Sequence, residues 1–90
     1  MAEQFVFVGT YTRKEAPGLG VSEGVYVYRL DLDTGALEHV STAAGVAEPS
    51  YVALDPSGEH LYAANELNEY EGAPGGAVSA FAFDRGTGAL

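Results

Sequence analysis

Ninety residues, 47% of them hydrophobic, can form one small domain and are too apolar for a disordered tail. Thirteen acidic residues against four basic ones, Arg13, Lys14, Arg29 and Arg85, give a formal charge of −9 with no basic cluster, which excludes a nucleic-acid-binding surface. Without cysteine there is no disulfide, thiolate nucleophile or Cys-ligated zinc, and with no apolar stretch long enough for a leader peptide or a membrane span a cytoplasmic protein is expected.

In chain order, the runs 4–11, 24–33, 50–55, 60–66 and 77–84 are short, rich in Val, Tyr, Phe and Leu, and bounded by turn residues, which predicts strands. A weaker strand is predicted near 37–42, after the turn Asp33-Thr34-Gly35. No window keeps a helical period, and twelve glycines with four prolines argue further against helices. Phe5 and Phe7 alternate with Val6 and Val8, so this strand is apolar on both faces and implies a sheet covered on both sides. Asp55-Pro56-Ser57-Gly58 has the composition of a tight turn, because Pro presets φ and Gly accepts a positive one. It predicts that 50–55 and 60–66 form an antiparallel hairpin.

An internal repeat organises these strands. Val25-Tyr26-Val27-Tyr28-Arg29-Leu30-Asp31 through Thr34-Gly35-Ala36-Leu37 aligns without a gap on Val78-Ser79-Ala80-Phe81-Ala82-Phe83-Asp84 through Thr87-Gly88-Ala89-Leu90. A hairpin followed by a third strand ending in Asp-x-x-Thr-Gly, repeated at about 50 residues, is the pattern of one propeller blade per repeat. The absence of tryptophan excludes a Trp-Asp signature.

The ordered set Phe7-Val8-Gly9-Thr10-Tyr11-Thr12, Gly24-Val25-Tyr26-Val27-Tyr28, Pro49-Ser50-Tyr51-Val52-Ala53, Leu61-Tyr62-Ala63-Ala64-Asn65-Glu66 and Gly76-Ala77-Val78-Ser79-Ala80-Phe81 resembles the N-terminal region of the lactonase β-propellers. That family includes propeller-type 6-phosphogluconolactonases and carboxy-muconate lactonising enzymes. The resemblance implies an all-β chain and a partial β-propeller of two incomplete blades of antiparallel strands within a seven-bladed ring. Residues 1–45 would supply the outer strands of the first blade, closed by a strand from the distant C-terminus. Residues 46–90 would supply the inner three strands of the second. It also implies a small-molecule lactone as substrate of the whole protein, opened or closed without metal or cofactor by channel His, Arg and Glu side chains. Three readings stay open for the whole protein: a sugar-phosphate lactonase, a carboxy-muconate-type lactonising enzyme, and a non-catalytic interaction module.

The catalytic residues that the resemblance implies fall on blades after Leu90, so catalysis is not expected of these ninety residues alone. Asn65-Glu66 resembles the Asn-Glu pair carrying the family's glutamate in a later blade, which makes Glu66 the one catalytic candidate here. Thr10, Tyr11, Ser50, Tyr51 and Asn65 are candidates to line the substrate channel. His39 and His60 fall in an outer-strand region and in a turn, where surface positions are expected. Gly18-Leu19-Gly20 through Gly24 has one residue too many for a dinucleotide fingerprint and joins strands, so it reads as a connection. Asp31-Leu32-Asp33-Thr34-Gly35 begins like a calcium loop but lacks the glycine and the final acid, so it reads as a turn. Glu66, Glu69, Glu71 and Asp84 read as a solvated acidic loop, and no metal is expected. No membrane partner is expected. The chain alone is expected to self-associate through uncovered blade faces, with Phe5, Phe7, Phe81 and Phe83 at risk of exposure.

Overall fold

Alternating aromatic and β-branched side chains, broken by Asp, Gly and Pro, give an all-β chain whose computed structural model describes residues 3–12, 21–67, 69–70 and 73–90. The strands are β1 (Glu3–Val8), β2 (Gly24–Asp31), β3 (Leu37–Ala44), β4 (Pro49–Leu54), β5 (His60–Asn65), β6 (Glu69–Tyr70), β7 (Ala73–Pro74) and β8 (Ala77–Ala82). One antiparallel sheet has the order β1-β2-β3 and a second the order β4-β5-β8, while β6 and β7 pair with each other. The strand near 37–42 is longer than predicted, at eight residues. The β6-β7 pair is an addition to the predicted strands, in a stretch whose Gly, Pro and Glu content reads as loop.

Both repeat turns are built by the same hydrogen bonds. Asp31 Oδ1 accepts from the N–H groups of Asp33 (2.8 Å) and Thr34 (3.3 Å), and its carbonyl accepts from Gly35 N–H (2.8 Å). Asp31 N–H donates to the Ala36 carbonyl (2.9 Å), and Ala36 N–H donates to Thr34 Oγ1 (3.2 Å). At the second turn Asp84 Oδ1 accepts from Gly86 (2.8 Å) and Thr87 (3.3 Å), and the Asp84 carbonyl accepts from Gly88 (2.7 Å). Asp84 N–H reaches the Ala89 carbonyl (2.9 Å), and Ala89 N–H reaches Thr87 Oγ1 (3.3 Å). Gly35 and Gly88 share a φ of +78°. In the Asp-x-x-Thr-Gly signature the carboxylate therefore gathers two amides, the hydroxyl gathers a third, and Gly takes the left-handed φ.

The two turns differ in what surrounds them. Gly35 is exposed with open space around it, whereas Gly88 is buried against Val40 and the Phe5 ring. Ser41 Oγ donates to the Gly88 carbonyl (2.5 Å). Val40 and Ser41 are successive residues yet both reach this turn, because the β2-β3 register shifts at Val27/Tyr28 and leaves Val40 as the extra residue of a bulge.

The sheets meet face to face through Phe5, Phe7, Val25 and Val27 on one side and Leu61, Ala63 and Phe83 on the other. Val25, Val27, Leu61, Ala63 and Phe83 form the buried hydrophobic core among the described residues. Phe83 lies edge-on to both Phe5 (5.0 Å between centroids, 80°) and Phe7 (4.9 Å, 82°). The Arg29 guanidinium sits 5.5 Å from the Phe5 ring centre and pairs with Glu38 (3.2 Å).

This packing corrects the expected exposure of Phe83. Residues 79, 81 and 83 share the inward parity of their register partners Ala63 and Leu61, so Phe83 points at the first sheet and is buried, with Phe81 partly covered. Phe5 and Phe7 are partly covered too. The open apolar face is the far side of the second sheet, where Tyr51 (75% exposed), Tyr62 (42%) and Val78 (73%) stand with Ala64 and Ala80. Among the described residues, no helix is long and apolar enough to cross a membrane.

The predicted hairpin closes as expected. Asp55 N–H donates to the His60 carbonyl (2.9 Å), Gly58 N–H donates to the Asp55 carbonyl (2.9 Å), and Gly58 takes a φ of +75°. The Asp55 carboxylate pairs with His60 Nδ1 (2.9 Å) and accepts from Ser57 Oγ (2.9 Å) and the N–H groups of Glu59 (3.1 Å) and His60 (3.3 Å).

A left-handed φ costs a side chain roughly 1–2 kcal/mol at either repeat-turn glycine, but at Gly88 an added methyl also collides with Val40, an overpacking of about 1–3 kcal/mol. Gly88→Ala should therefore destabilise the protein by that extra amount relative to Gly35→Ala in urea unfolding, and equal losses would mean that the turn is not packed on the first sheet. In the hairpin, His60, followed by the smaller hydrogen bonds of the turn, holds Asp55 well below the ordinary carboxylate range. The contribution of Asp55 to the folded turn is complete above about pH 3.9, the unfolded value, and is lost as pH falls through the lower folded value. The Glu59 and His60 amide resonances should report that low transition and lose it in Asp55→Ala; a midpoint near 4 in the unaltered protein would contradict the paired turn.

Candidate functional site

The segment after β1 is pressed against the start of β4. A Cβ on Gly9 would run into the Pro49 carbonyl, and Thr10 N–H donates to that same oxygen (2.9 Å). Thr10 Oγ1 donates to the Gly24 carbonyl (2.6 Å), tying the segment to β2. Tyr11 and Thr12 are thereby carried to the ends of β4 and β5.

There the backbone departs from a regular ladder. Pro49 pairs with Asn65 and Tyr51 with Ala64, so Ser50 is the extra residue of a bulge. A bulge re-aims the side chain of its extra residue, and Ser50 Oγ donates to Glu66 Oε1 (2.7 Å). The Tyr11 hydroxyl donates to the same oxygen (3.0 Å). Just before the bulge, Glu48 is fully buried with a φ of +47°, the one positive φ outside glycine among the described residues. Its Oε1 accepts from Thr12 N–H (2.6 Å) and Thr12 Oγ1 (3.2 Å), while its carbonyl accepts from Ser50 N–H (2.8 Å) and Glu66 N–H (3.0 Å).

Of the residues singled out from the sequence, the structure brings together Tyr11, Ser50 and Glu66. Thr10 is engaged with backbone. Asn65 is buried and spans the sheet, donating from Nδ2 to the Ala47 carbonyl (2.8 Å) and accepting from Ser79 Oγ (2.9 Å). Tyr51 stands on the open far face. His39 is exposed beside Tyr26, Tyr28 and Thr42, and His60 is exposed in the hairpin turn. Gly18 through Gly20 and Glu71 lie outside the described residues, as does the Glu69 side chain. Among the described residues, no group of three His, Asp or Glu side chains could hold a metal. A groove of about 480 Å³ beside β8 is lined, among the described residues, by residues such as Val46, Asn65 and Ser79 and by no titratable side chain.

Glu48 was not marked by the sequence. A residue before proline is ordinarily extended, so nothing in Ala-Glu-Pro-Ser announces a left-handed, buried carboxylate.

Comparison with known proteins gives the family. Residues 5–90 match the family described as Lactonase, 7-bladed beta-propeller. The chain belongs to the lactonase seven-bladed β-propeller family. It is 35% identical over its 90 residues to the 6-phosphogluconolactonase of Bacillus subtilis, whose length it covers to 23%. Two solved structures provisionally named 6-phosphogluconolactonase superpose on 96% of the chain: one from Bacteroides uniformis (TM-score 0.79, 37% identity) and one from Bacteroides fragilis (0.78, 38%). The chain covers 22% and 21% of those proteins, so it spans under a quarter of the lactonase relatives it matches.

Within this lactonase propeller segment, the cluster is a carboxylate held by two hydroxyls. Glu66 is exposed, and its Oε1 is fixed by two hydroxyl donors while Oε2 takes no hydrogen bond from the described residues. A carboxylate so held can accept from a ligand hydroxyl, and the Tyr11 and Ser50 oxygens keep lone pairs to accept more. Among the described residues the two arginines are engaged elsewhere, Arg29 with Glu38 and Phe5 and Arg85 against Gly58.

The Glu66 carboxylate raises the Tyr11 phenol above its ordinary value, first through the hydrogen bond and then through its charge. The pairing is whole below about pH 10, the unfolded value, and is lost as pH rises through the higher folded value. In Glu66→Gln, the Tyr11 titration, followed by carbon-13 tyrosine resonances and assigned with Tyr11→Phe, should move down toward 10. No movement would mean that the two side chains do not meet in solution.

Proposed function

We propose that this chain is part of a propeller lactonase that hydrolyses a sugar-phosphate lactone such as 6-phosphogluconolactone. In that reaction water oxygen bonds to the lactone carbonyl carbon, the ring C–O bond breaks, one proton of the water ends on the former ring oxygen and the other is released to solvent, leaving a hydroxy carboxylate. The observation that carries the reading is the exposed Glu66 carboxylate, one oxygen of which is fixed by Tyr11 and Ser50 at the ends of β4 and β5. Family membership over residues 5–90 supports it. The sugar hydroxyls of such a lactone are the donors that an exposed, acceptor-only carboxylate binds. Glu66, Tyr11 and Ser50 thus orient the ring, and activation of water and stabilisation of the oxyanion fall to groups outside these ninety residues. A phosphorylated sugar does not cross a membrane unaided, which supports a cytoplasmic location.

Loss of lactone above the spontaneous rate tests the proposal. The full-length protein should be active and the ninety-residue chain inert. Glu66→Gln should lower kcat/KM roughly 10- to 100-fold, mainly through KM, the loss expected for a charged hydrogen bond to a hydroxyl. A full-length protein that leaves the lactone to its spontaneous rate overturns the reading.

A further inference from the structure

We propose that Glu48 is a positioning residue of this site, a group that acts on the placement of Tyr11, Ser50 and Glu66 together. Its side chain and its backbone act on different members. The carboxylate holds Thr12 by both N–H and hydroxyl, and Glu48 N–H returns a hydrogen bond to Thr12 Oγ1 (3.1 Å), so Tyr11 is placed through its neighbour. The carbonyl gathers the N–H groups of Ser50 and Glu66, which fixes the bulge and the end of β5 relative to each other. One residue thus connects three segments that are otherwise distant in sequence, 11–12, 50 and 66.

Its conformation points the same way. A left-handed φ on a side-chain-bearing residue costs about 1–2 kcal/mol and persists where the surroundings over-determine it, a pattern concentrated at functional sites. A fully buried carboxylate adds a desolvation cost. A glycine would meet the backbone requirement at lower cost, so the side chain itself contributes, and the Thr12 clamp is part of that contribution. The +47° turn aims the Glu48 carbonyl at both amides while its side chain returns to Thr12.

The bearing of Glu48 on catalysis rests on the lactonase reading, but the positioning itself does not, and two readouts separate them. The first is the Tyr11 titration, on which Glu66 and, to a lesser degree, the Glu48 charge act. Glu48→Gln keeps an acceptor for Thr12 and removes the charge; Glu48→Gly removes the clamp and relieves the backbone. Positioning requires that the Gln variant keep the larger part of the upward shift and that the Gly variant lose it. Equal titrations in the two variants would show a charge effect alone and overturn the proposal, as would wild-type behaviour in both. Should Glu48→Gly not fold, Thr12→Ala decides instead: it removes the hydroxyl half of the clamp and should lose part of the shift, and an unchanged titration overturns the proposal. The second readout is lactone hydrolysis by the full-length protein, where Glu48→Gly should lose at least tenfold in kcat/KM and Glu48→Gln should restore most of it. A shifted Tyr11 with unimpaired hydrolysis upholds the positioning and overturns the cluster of Tyr11, Ser50 and Glu66 as part of the lactonase site.

Discussion

Phe83 standing edge-on between Phe5 and Phe7 is the contact on which the arrangement of the two sheets depends. Each such aromatic pair contributes about 0.5–1.5 kcal/mol beyond its area burial, and edge-to-face geometry restricts how far one sheet can slide on the other. Gly88, a few residues on, lets the following turn close onto Val40 and Phe5 without a side chain in the way. Ser41 then ties the turn by its carbonyl. Aromatic insertion and turn docking together set the spacing of the sheets and their lateral register.

The cluster of Tyr11, Ser50 and Glu66 inherits that register. Thr10 meets Pro49, and Thr12 meets Glu48, because the segment leaving β1 belongs to the first sheet and β4 to the second. The bonds around Glu66 come from both sheets: Tyr11 reaches it from the segment leaving the first, and Ser50 from the bulge in the β4-β5 pair of the second. Regular pairing at Ser50 would turn its side chain to a different face. A bulge and a left-handed glutamate side by side, both next to the one exposed carboxylate that accepts two hydroxyls, form a local departure from the ladder that the flanking strands do not need for their own pairing.

The same alternation that fills the interface leaves the far face of the second sheet apolar. Tyr51, Tyr62 and Val78 stand there among alanines, on strands whose other face carries Leu61, Ala63 and Phe81. Val25 and Val27, the repeat equivalents of Val78 and Ala80, are by contrast fully buried, so one sequence pattern is covered in the first sheet and open in the second. The repeat determines which residues are apolar; the neighbour determines whether they are dry.

Local chemistry alone was enough to determine the strands, the hairpin at Pro56-Ser57-Gly58 and the two Asp-x-x-Thr-Gly turns, because each depends on residues within a few positions of one another. The same five hydrogen bonds at Asp31 and Asp84 show how completely that signature encodes its own geometry. Resemblance across the ordered motifs reached the lactonase family, and Tyr11, Ser50 and Glu66 were legible as candidates. Their meeting was not. The bulge at Ser50 belongs to the β4-β5 pairing, whereas the meeting of Thr12 with Glu48 and of Phe83 with Phe5 and Phe7 follows from how one sheet seats on the other, and register between sheets is a sum over contacts far apart in sequence. A residue such as Glu48 has no local pattern to betray it, since its partners at 12 and 66 become neighbours only when the tertiary structure closes.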